Sequence, residues 1–251
     1  MDQSALCATH RDRPATGTCA RCGRFVCASC AGLDGMCPEC ALLPIRALPD
    51  GRGRAKWTTN LLLANVVGDS LSIVAGLATM SGGPNADTGL STVLDAIAGL
   101  VTFGALVGGA ITFLRWLHLA VRTTVALGHQ VGMTPGWACG FFFVPIANLY
   151  KPYRAVNAMA TSLSGHAQSA PVGAWWAAWI ANNVLSQIQF RITMSSPASA
   201  SSTGVLFLGF FANSLSIIAA LLCIRVVASI QKELSARREP ASPAGPVVPV
   251  A

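Results

Sequence analysis

From residue 57 onward the chain alternates long apolar runs with short polar segments. A helix needs about 20 apolar residues to cross a hydrocarbon core of about 30 Å, since each residue advances it by about 1.5 Å. Four runs approach or exceed this length, the third being the shortest: residues 57–80, 90–114, 174–190 and 204–227. The pattern predicts four transmembrane helices, and the expected fold class is an all-α polytopic membrane protein.

A fifth apolar stretch, residues 136–154, is built differently. It contains Pro145 and Asn148, and it ends on Lys151, Pro152 and Arg154. As a helix its apolar part reaches about 21 Å, less than the hydrocarbon core requires. We expect it to leave the membrane on the side where it entered, either as a re-entrant segment or as an interfacial helix. The sequence leaves both open, and residues 153–164 have the spacing of an amphipathic interfacial helix.

The same stretch resembles a bacterial membrane family known as domain of unknown function 4328. The likeness extends roughly over residues 57 to 230. Its pattern, FxxPxxNLxxPYR, is formed by Phe142, Pro145, Asn148, Leu149, Pro152, Tyr153 and Arg154. The resemblance implies a helical membrane architecture. It implies no activity, because none is established for that family.

Composition and charge placement support a membrane protein. Of the 251 residues 53% are hydrophobic and 11% are charged, whereas soluble proteins carry roughly 25% charged residues. With four spans and the N-terminus inside, all basic residues except Arg191, or 16 of 17, fall on the cytoplasmic side, as the positive-inside rule requires. We therefore expect a multi-pass protein of a bacterial inner (plasma) membrane with cytoplasmic N- and C-termini.

The first forty residues hold seven of the nine cysteines. Together with one histidine they form four pairs, each separated by two residues: Cys7 and His10, Cys19 and Cys22, Cys27 and Cys30, Cys37 and Cys40. Eight ligands are the number that two tetrahedral Zn²⁺ ions require. A two-zinc cross-brace, in which the first pair joins the third and the second joins the fourth, is the favoured arrangement. Sequential pairing stays open.

This N-terminal segment resembles the B-box type of zinc finger that precedes some bacterial membrane domains, although its last pair is Cys37 and Cys40 where histidines are common. A disulfide framework and a redox switch are the alternatives, and a reducing cytoplasm disfavours the disulfides. Eight ligands would close both coordination shells and leave no position for a catalytic water. The module is expected to be structural or binding, so no enzyme is predicted.

Four parts follow along the chain. Residues 1–43 form the B-box-like zinc module, 44–56 a flexible basic linker, 57–231 the membrane domain with its segment 136–154, and 232–251 a disordered tail. The linker would lie against anionic headgroups of the lipid bilayer. Nucleic acid is not an expected partner, because the four basic residues of the linker have no aromatic residues between them.

Several polar residues fall inside the predicted spans. Asp69 is near the centre of the first, where a charged carboxylate costs about 2.5–3.5 kcal/mol. Asn182 or Asn183 and Asn213 lie at a similar depth. We expect these side chains to converge into an interior polar cluster, either as hydrogen bonds between helices or as a proton or ion relay.

Other residues indicate close packing of the helices and an ion pair near the outer face of the membrane. Small residues provide surfaces that let helices approach: Gly68, Ser72 and Gly76 in the first run, and Gly104 and Gly108 in the second. Asp95 and Arg191 lie at a similar depth and could pair.

Two functions follow from these features. The favoured one is a membrane-anchored protein whose cytoplasmic zinc module binds a protein partner. The alternative is a small transporter or channel that uses the polar cluster around Asp69. An intramembrane protease is disfavoured because the histidines do not lie in mid-span positions.

Overall fold

The computed structural model describes residues 5–32, 35–81, 88–164, 169–196 and 202–238, with side chains described outside 78–95 and 165–170. The chain divides into two compact units. One comprises Met1–Asp50 and Ser235–Ala251, and the other comprises Gly51–Leu234. Each is described by itself below.

The first unit is small and contains two short strands and one helix. Strands β1 (Gly17–Thr18) and β2 (Phe25–Val26) are antiparallel, with Gly17 opposite Val26 and Thr18 opposite Phe25. Helix α1 (Pro38–Arg46) follows, and the side chain of Cys37 accepts a hydrogen bond from the Cys40 amide at its N-terminus.

The interior of this unit consists mainly of sulfur. One cluster of its buried residues consists of Val26 and six cysteines, with Met36 partly buried against them, and Ile45 of α1 is buried as well. Phe25, one of the few bulky apolar residues in this segment, is 49% exposed. So few apolar groups cannot stabilise a fold of this size by burial alone, because small domains bury too little surface.

Among the described residues of the second unit there are seven helices and one 3-10 turn. The first two are α2 (Arg52–Ser81) and α3 (Thr88–Ala126). A broken segment follows, made of α4 (Pro135–Gly140), a 3-10 turn (Phe141–Phe143), α5 (Pro145–Asn148) and then α6 (Lys151–Ser164). The last two helices are α7 (Ser169–Ser195) and α8 (Thr203–Ala236).

Three of the described helices are long and apolar enough to cross a membrane. The qualifying segments are Arg52–Leu77 in α2, Ala96–Ala126 in α3 and Thr203–Ala236 in α8. Helix α7 has 27 residues but does not qualify, since Asn182, Asn183, Gln187 and Gln189 lower its mean hydropathy. The third predicted span, residues 174–190, is therefore not confirmed.

Helix boundaries extend beyond the apolar runs. Helix α3 continues twelve residues past position 114 to Ala126, and α8 continues to Ala236, so residues 232–236 of the expected disordered tail are helical. Between α1 and α2 only residues 47–51 lie outside helix, so the connection is shorter than the linker predicted over 44–56. An apolar run marks only the part of a helix that faces lipid, whereas packing continues the helix beyond it.

The main core lies at one end of the long helices. It joins the C-terminal parts of α3 and α8 to α6 and the beginning of α7. Its largest fully buried side chains include Trp116, Leu117, Val156, Met159 and Val227. Elsewhere α2 and α3 expose large apolar side chains, as lipid-facing helices do.

The interruptions of the helix in the broken segment have identifiable causes. Thr134 caps α4 and Pro135 occupies its first turn. Val144 is extended, and Pro145 starts a new short helix immediately after it, because the residue before a proline is disfavoured in helical conformation. No helix described between Pro135 and Ser164 is longer than the 14 residues of α6. A single crossing helix is thereby excluded over this part of the chain.

Candidate metal centres

The eight predicted ligands form two groups of four in the structure. Cys7, His10, Cys27 and Cys30 make the first cluster, and Cys19, Cys22, Cys37 and Cys40 make the second. Within each cluster one donor atom from every residue lies within 4.8 Å of the others. The grouping alternates along the chain, so the first pair joins the third and the second joins the fourth. Each cluster can hold one metal ion.

The first cluster is formed by two backbone turns. The Cys7 amide donates to the Arg13 carbonyl and the Arg13 amide donates to the His10 carbonyl, both at 3.0 Å, so Cys7 and His10 lie in one closed loop. After β2, the Cys30 amide donates to the Cys27 carbonyl at 2.9 Å. Each turn brings two donors separated by two residues to the same side of the backbone.

The second cluster combines a glycine turn with a helix N-terminus. Gly23 has φ +71°, a left-handed conformation that costs glycine no steric penalty, and its amide donates to the Cys19 carbonyl at 2.9 Å. On the other side, Cys37 precedes α1 and Cys40 lies in its first turn. The Cys37 amide also donates to Cys19 Sγ at 3.2 Å, which directly links the two halves.

Donor spacing fits a tetrahedral ion. With metal–sulfur bonds of about 2.3 Å and metal–nitrogen bonds of about 2.0 Å, a tetrahedron places two sulfurs about 3.8 Å apart and a nitrogen and a sulfur about 3.5 Å apart. The Sγ atoms of Cys22 and Cys37 are 3.7 Å apart. His10 Nδ1 lies 3.5 Å from Cys27 Sγ and 3.2 Å from Cys30 Sγ.

The electrostatics of the thiols also favour a cation. Backbone amides, above all that of His10, lower the pKa of Cys7 to about 6, and the Cys37 amide has the same effect on the pKa of Cys19, which falls to about 6. Burial, followed by hydrogen bonds to Cys27 and Cys7, raises the pKa of Cys30 to about 11. The hydrogen bond to Cys37, followed by burial, raises the pKa of Cys40 to about 12. Each cluster thus has one thiol whose pKa is lowered and one whose pKa is raised, the latter by burial and by hydrogen bonds to neighbouring thiols. A dication bound among the sulfurs would favour the thiolate form of all of them.

One ion pair lies beside the second cluster. Arg24 Nη1 donates to Glu39 Oε2 at 2.6 Å and joins the turn after Cys22 to the first turn of α1. Both side chains are more than half exposed, and exposed pairs contribute only about 0–1 kcal/mol. The pair orients the two elements, but the sulfurs and their ion would provide most of the stability.

The interior polar cluster differs from the sequence expectation. Asp69 is buried, and its Oδ2 accepts a hydrogen bond from Asn65 Nδ2 at 2.9 Å. The same amide lies 3.4 Å from Ser216 Oγ of α8. Asn183 instead donates to the Trp179 carbonyl of its own helix, and Asn182 Oδ1 is buried with no hydrogen-bond partner.

Asn65 and Ser216, which lie beside Asp69, are not among the partners predicted from the sequence. Asn65 precedes Asp69 by four residues, which places the two side chains on one face of a helix. That spacing was a usable signal. Ser216 has no such signal, because its position depends on how α8 packs. The side chain of Asp95 is outside the described part of the structure, so its pairing with Arg191 stays a prediction.

Comparison with known proteins gives one family match. No curated protein matches the chain, and no solved structure matches it. A family model matches residues 84–232, more than half of the chain, and leaves both clusters and α2 outside the match. The chain belongs to the family described as Domain of unknown function (DUF4328).

Proposed function

We propose that this chain is a multi-pass membrane protein whose N-terminal module binds two Zn²⁺ ions in a cross-brace and presents a cytoplasmic surface to a protein partner. The observation that carries the proposal is the pair of four-donor clusters with alternating membership. Cys7, His10, Cys27 and Cys30 would hold one ion, and the remaining four cysteines the other. Soft thiolate donors in tetrahedral sets suit zinc.

Zinc would have a structural role in this module. Four protein ligands fill a tetrahedral shell, so no coordination position is left for water or substrate. Structural zinc sites in small peptides contribute about 10–16 kcal/mol of apparent binding free energy each. That contribution would offset the shortage of buried apolar groups in the first unit.

The membrane topology that we propose has four crossings, with α7 as the third. Its 27 residues extend about 40 Å, enough to cross the bilayer. At least one polar side chain of α7 faces protein and not lipid. Gln189 lies against Gly209 of α8, so closely that a Cβ added to this glycine would be 3.0 Å from Gln189 Nε2. An even number of crossings keeps both termini in the cytoplasm and leaves Arg191 as the basic residue on the far side, as the positive-inside rule favours. A bacterial inner membrane remains the expected location.

The alternative of a small transporter or channel gains no separate support. Asp69 is hydrogen-bonded to Asn65 on its own helix, and Asn65 lies beside Ser216. Interhelical hydrogen bonds of this kind stabilise packing by about 0.6 kcal/mol on average. Helix packing is therefore a sufficient role for this group.

A partner surface on the module is supported by two exposed apolar side chains. Leu6 is 54% exposed and Phe25 is 49% exposed. They lie on neighbouring backbone segments, because the Ala8 amide donates to the Phe25 carbonyl at 3.0 Å. Neither residue belongs to the metal clusters, so both are available for contact while the ions are held.

The first test is metal analysis of the purified full-length protein. Two zinc ions per chain are expected, and a value of zero or one contradicts the two-zinc module. Iron or disulfides in place of zinc would contradict the assignment of the ion.

The second test uses crosslinking in native membranes to compare Phe25→Ser with Leu43→Ser, a matched control on α1 whose side chain is 41% exposed. Both variants should keep two zinc ions. Loss of a specific crosslinked protein in Phe25→Ser alone supports the partner surface. Equal crosslinking in both variants, or no specific product with the wild type, would contradict it.

A further inference from the structure

The broken segment exposes an unusual row of apolar side chains. Phe143 is 76% exposed and Ile146 is 85% exposed. Other exposed apolar or aromatic residues of the segment are Trp137, Val144, Leu149 and Tyr150. Contiguous apolar patches of this kind mark interaction or membrane surfaces in folded proteins. The opposite side of the segment packs on the core of the second unit.

Contacts with α3 locate the segment along the long helices. The Phe142 ring lies 5.9 Å from the Phe113 ring, and the Cys139 thiol donates to the Leu114 carbonyl at 3.3 Å. The next residue of α3 is Arg115, which is exposed. Its carbonyl accepts a hydrogen bond from Arg54 Nη1, in the first turn of α2, at 3.0 Å. The segment therefore lies level with the first turn of α2 and with Arg115, the first basic residue after the apolar run of α3.

This level is a boundary of the apolar zone. The apolar run of α3, residues 90–114, rises about 36 Å along the helix axis, enough to cross the roughly 30 Å thickness of the hydrocarbon core. Leu114 then lies near one surface of the core. A segment packed against Leu114 is too far from the middle to be a deep re-entrant loop.

The irregular backbone leads to the same conclusion. Lipid-exposed backbone without regular hydrogen bonding is not tolerated in the hydrocarbon core. The segment has a weak 3.4 Å bond from the Val144 amide to the Phe141 carbonyl, followed by extended backbone and Pro145. Headgroups and water can satisfy such a backbone at the interface, while the exposed side chains reach the acyl chains.

Two basic side chains accompany the aromatic rings. Lys151 Nζ is 5.7 Å from the centroid of the Phe141 ring, and Arg154 Cζ is 5.3 Å from that of the Tyr150 ring. If the apolar row enters the acyl boundary, both charges are held at the level of the lipid phosphates.

We propose that residues 135–154 form an in-plane wedge that inserts Phe143 and Ile146 into one leaflet and uses Lys151 and Arg154 to select anionic phospholipids. The inference rests on the proposed membrane topology and resolves the choice between a re-entrant and an interfacial segment. The ligand is the phosphate-bearing headgroup of an anionic lipid. Each basic side chain near such a surface contributes about fivefold to its lipid preference.

Insertion depth tests the wedge. A ketone-bearing amino acid, introduced by codon suppression so that the cysteines stay free, replaces Ile146 or Leu106 and is coupled to a nitroxide in the full-length protein in nanodiscs. Leu106, 60% exposed on α3, should report the bilayer interior. The label at Ile146 should lie just below the phosphates. A label at Ile146 as deep as that at Leu106, or one in bulk water, overturns the wedge.

The Leu106 label separates this inference from the topology on which it rests. If that label is in water, the proposed membrane domain fails. If it is in the bilayer interior and the Ile146 label is not at the interface, only the wedge fails.

Lipid selectivity tests the basic pair. The motionally restricted fraction of spin-labelled phosphatidylglycerol is compared with that of spin-labelled phosphatidylcholine. The wild type should prefer the anionic lipid, and Lys151→Gln together with Arg154→Gln should reduce that preference by roughly tenfold or more. Arg191→Gln, at the opposite end of α7 from its tryptophans, is the matched control and should change it less than twofold. If Arg191→Gln reduces the anionic preference as much as the double substitution at Lys151 and Arg154, the assignment of the lipid contacts is overturned.

A charge-preserving exchange, Lys151→Arg with Arg154→Lys, guards against misfolding as the explanation. It should keep the anionic preference, and loss of the preference in this variant would also overturn the proposal.

Discussion

At the residue scale, the two metal clusters are independent sets of donors with different exposure. Cys22 is the exposed member of the second cluster, and His10 is the half-buried member of the first. The amide of Cys37, a residue of the second cluster, contacts a sulfur of that same cluster. Removal of one donor should therefore affect the ion of its own cluster first.

Cys27→Ser should lower the zinc content from two ions per chain to about one, because a serine hydroxyl is a poor substitute for a thiolate ligand. Elemental analysis of the purified protein measures the ratio. Cys139→Ser, in α4 outside both clusters, is the control and should retain two. Retention of two ions in Cys27→Ser would contradict the assignment of that ligand.

Zinc affinity should rise with pH. The pKa of Cys30 is raised to about 11 and that of Cys40 to about 12, so both hold protons at neutral pH in the metal-free module. Zinc must displace those protons, because only the thiolate binds the ion. Competition with a chromophoric chelator, corrected for the chelator's own protonation, should show tighter binding at about pH 8 than at about pH 6. A pH-independent affinity would contradict proton displacement.

Gly68 is a close-packing position between α2 and α3. A Cβ built there would overlap Thr102 Oγ1 and lie 3.3 Å from Thr102 Cβ. Gly68→Ala should lower the free energy of unfolding by about 1–3 kcal/mol, measured by denaturing-detergent titration. Gly76 and Gly104 were predicted to pack closely as well, but a Cβ added at either meets open space. Gly76→Ala, on the same helix as Gly68, should therefore be neutral or slightly stabilising. Equal effects at the two positions would rule out this contact.

At the scale of elements, α3 and α8 are joined by a buried hydrogen bond. The Trp116 side chain is fully buried, and its Nε1 donates to Gln231 Oε1 at 3.1 Å. A Cβ at Gly51 would lie 2.7 Å from the same oxygen, so the start of α2 approaches this pair as well. Three elements meet at one polar contact inside an otherwise apolar core.

Gln231→Leu should destabilise the membrane domain by about 1–3 kcal/mol, because it leaves the buried indole N–H without its acceptor. The measurement is the same detergent titration, repeated with Trp116→Phe and with the double variant. A positive coupling energy in this double-mutant cycle isolates the hydrogen bond from the change in packing. Additive effects of the two substitutions would mean that the bond contributes nothing.

The first unit has its own connection between elements. Arg238 Nη2 donates to the carbonyls of Ile45, Leu48 and Pro49 at 2.8–3.1 Å. A cation at these carbonyls satisfies acceptors that a helix end leaves free and complements the helix dipole. Residues near the C-terminus of the chain thus stabilise the helix that carries Cys40.

At the scale of the whole molecule, the second unit has a packed end and a lipid-facing end. The aromatic residues of the core, including Trp175 and Trp176 with Phe113 and Phe142, meet at the packed end. Trp176 Nε1 also donates to the Leu149 carbonyl at 2.9 Å and holds the broken segment to α7. Tryptophans with one apolar and one polar side favour the membrane interface.

Tags at the two termini should be accessible from the same face of the membrane, because the proposed topology has four crossings. Protease protection in sealed vesicles of defined orientation measures this. A tag inserted next to Ser196, after α7, should be accessible only from the other face. Termini on opposite faces would remove α7 as a span and leave the three helices that qualify by hydropathy.

The elements of this protein could largely be predicted from the sequence because they depend on local pattern. Ligand pairs two residues apart specify a turn with both donors on one side, and long apolar runs specify membrane helices. The family match agrees with the resemblance carried by residues such as Pro145 and Asn148, although it begins at residue 84 rather than near 57. The broken character of residues 136–154 follows from Pro145, whose missing amide proton and effect on Val144 are local as well.

Only the tertiary structure decided which separate elements meet. Spacing alone allowed sequential or alternating ligand pairs. The structure groups them in the alternating order, and the hydrogen bond from the Cys37 amide to Cys19 Sγ links the second pair to the fourth. Asp69 has Asn65 and Ser216 as neighbours rather than the asparagines of α7 and α8, because helix rotation decides which of several equally deep polar residues face each other. The ends of α3 and α8 lie beyond their apolar runs for a related reason. There the helix is stabilised by protein packing, whose partners are distant in sequence.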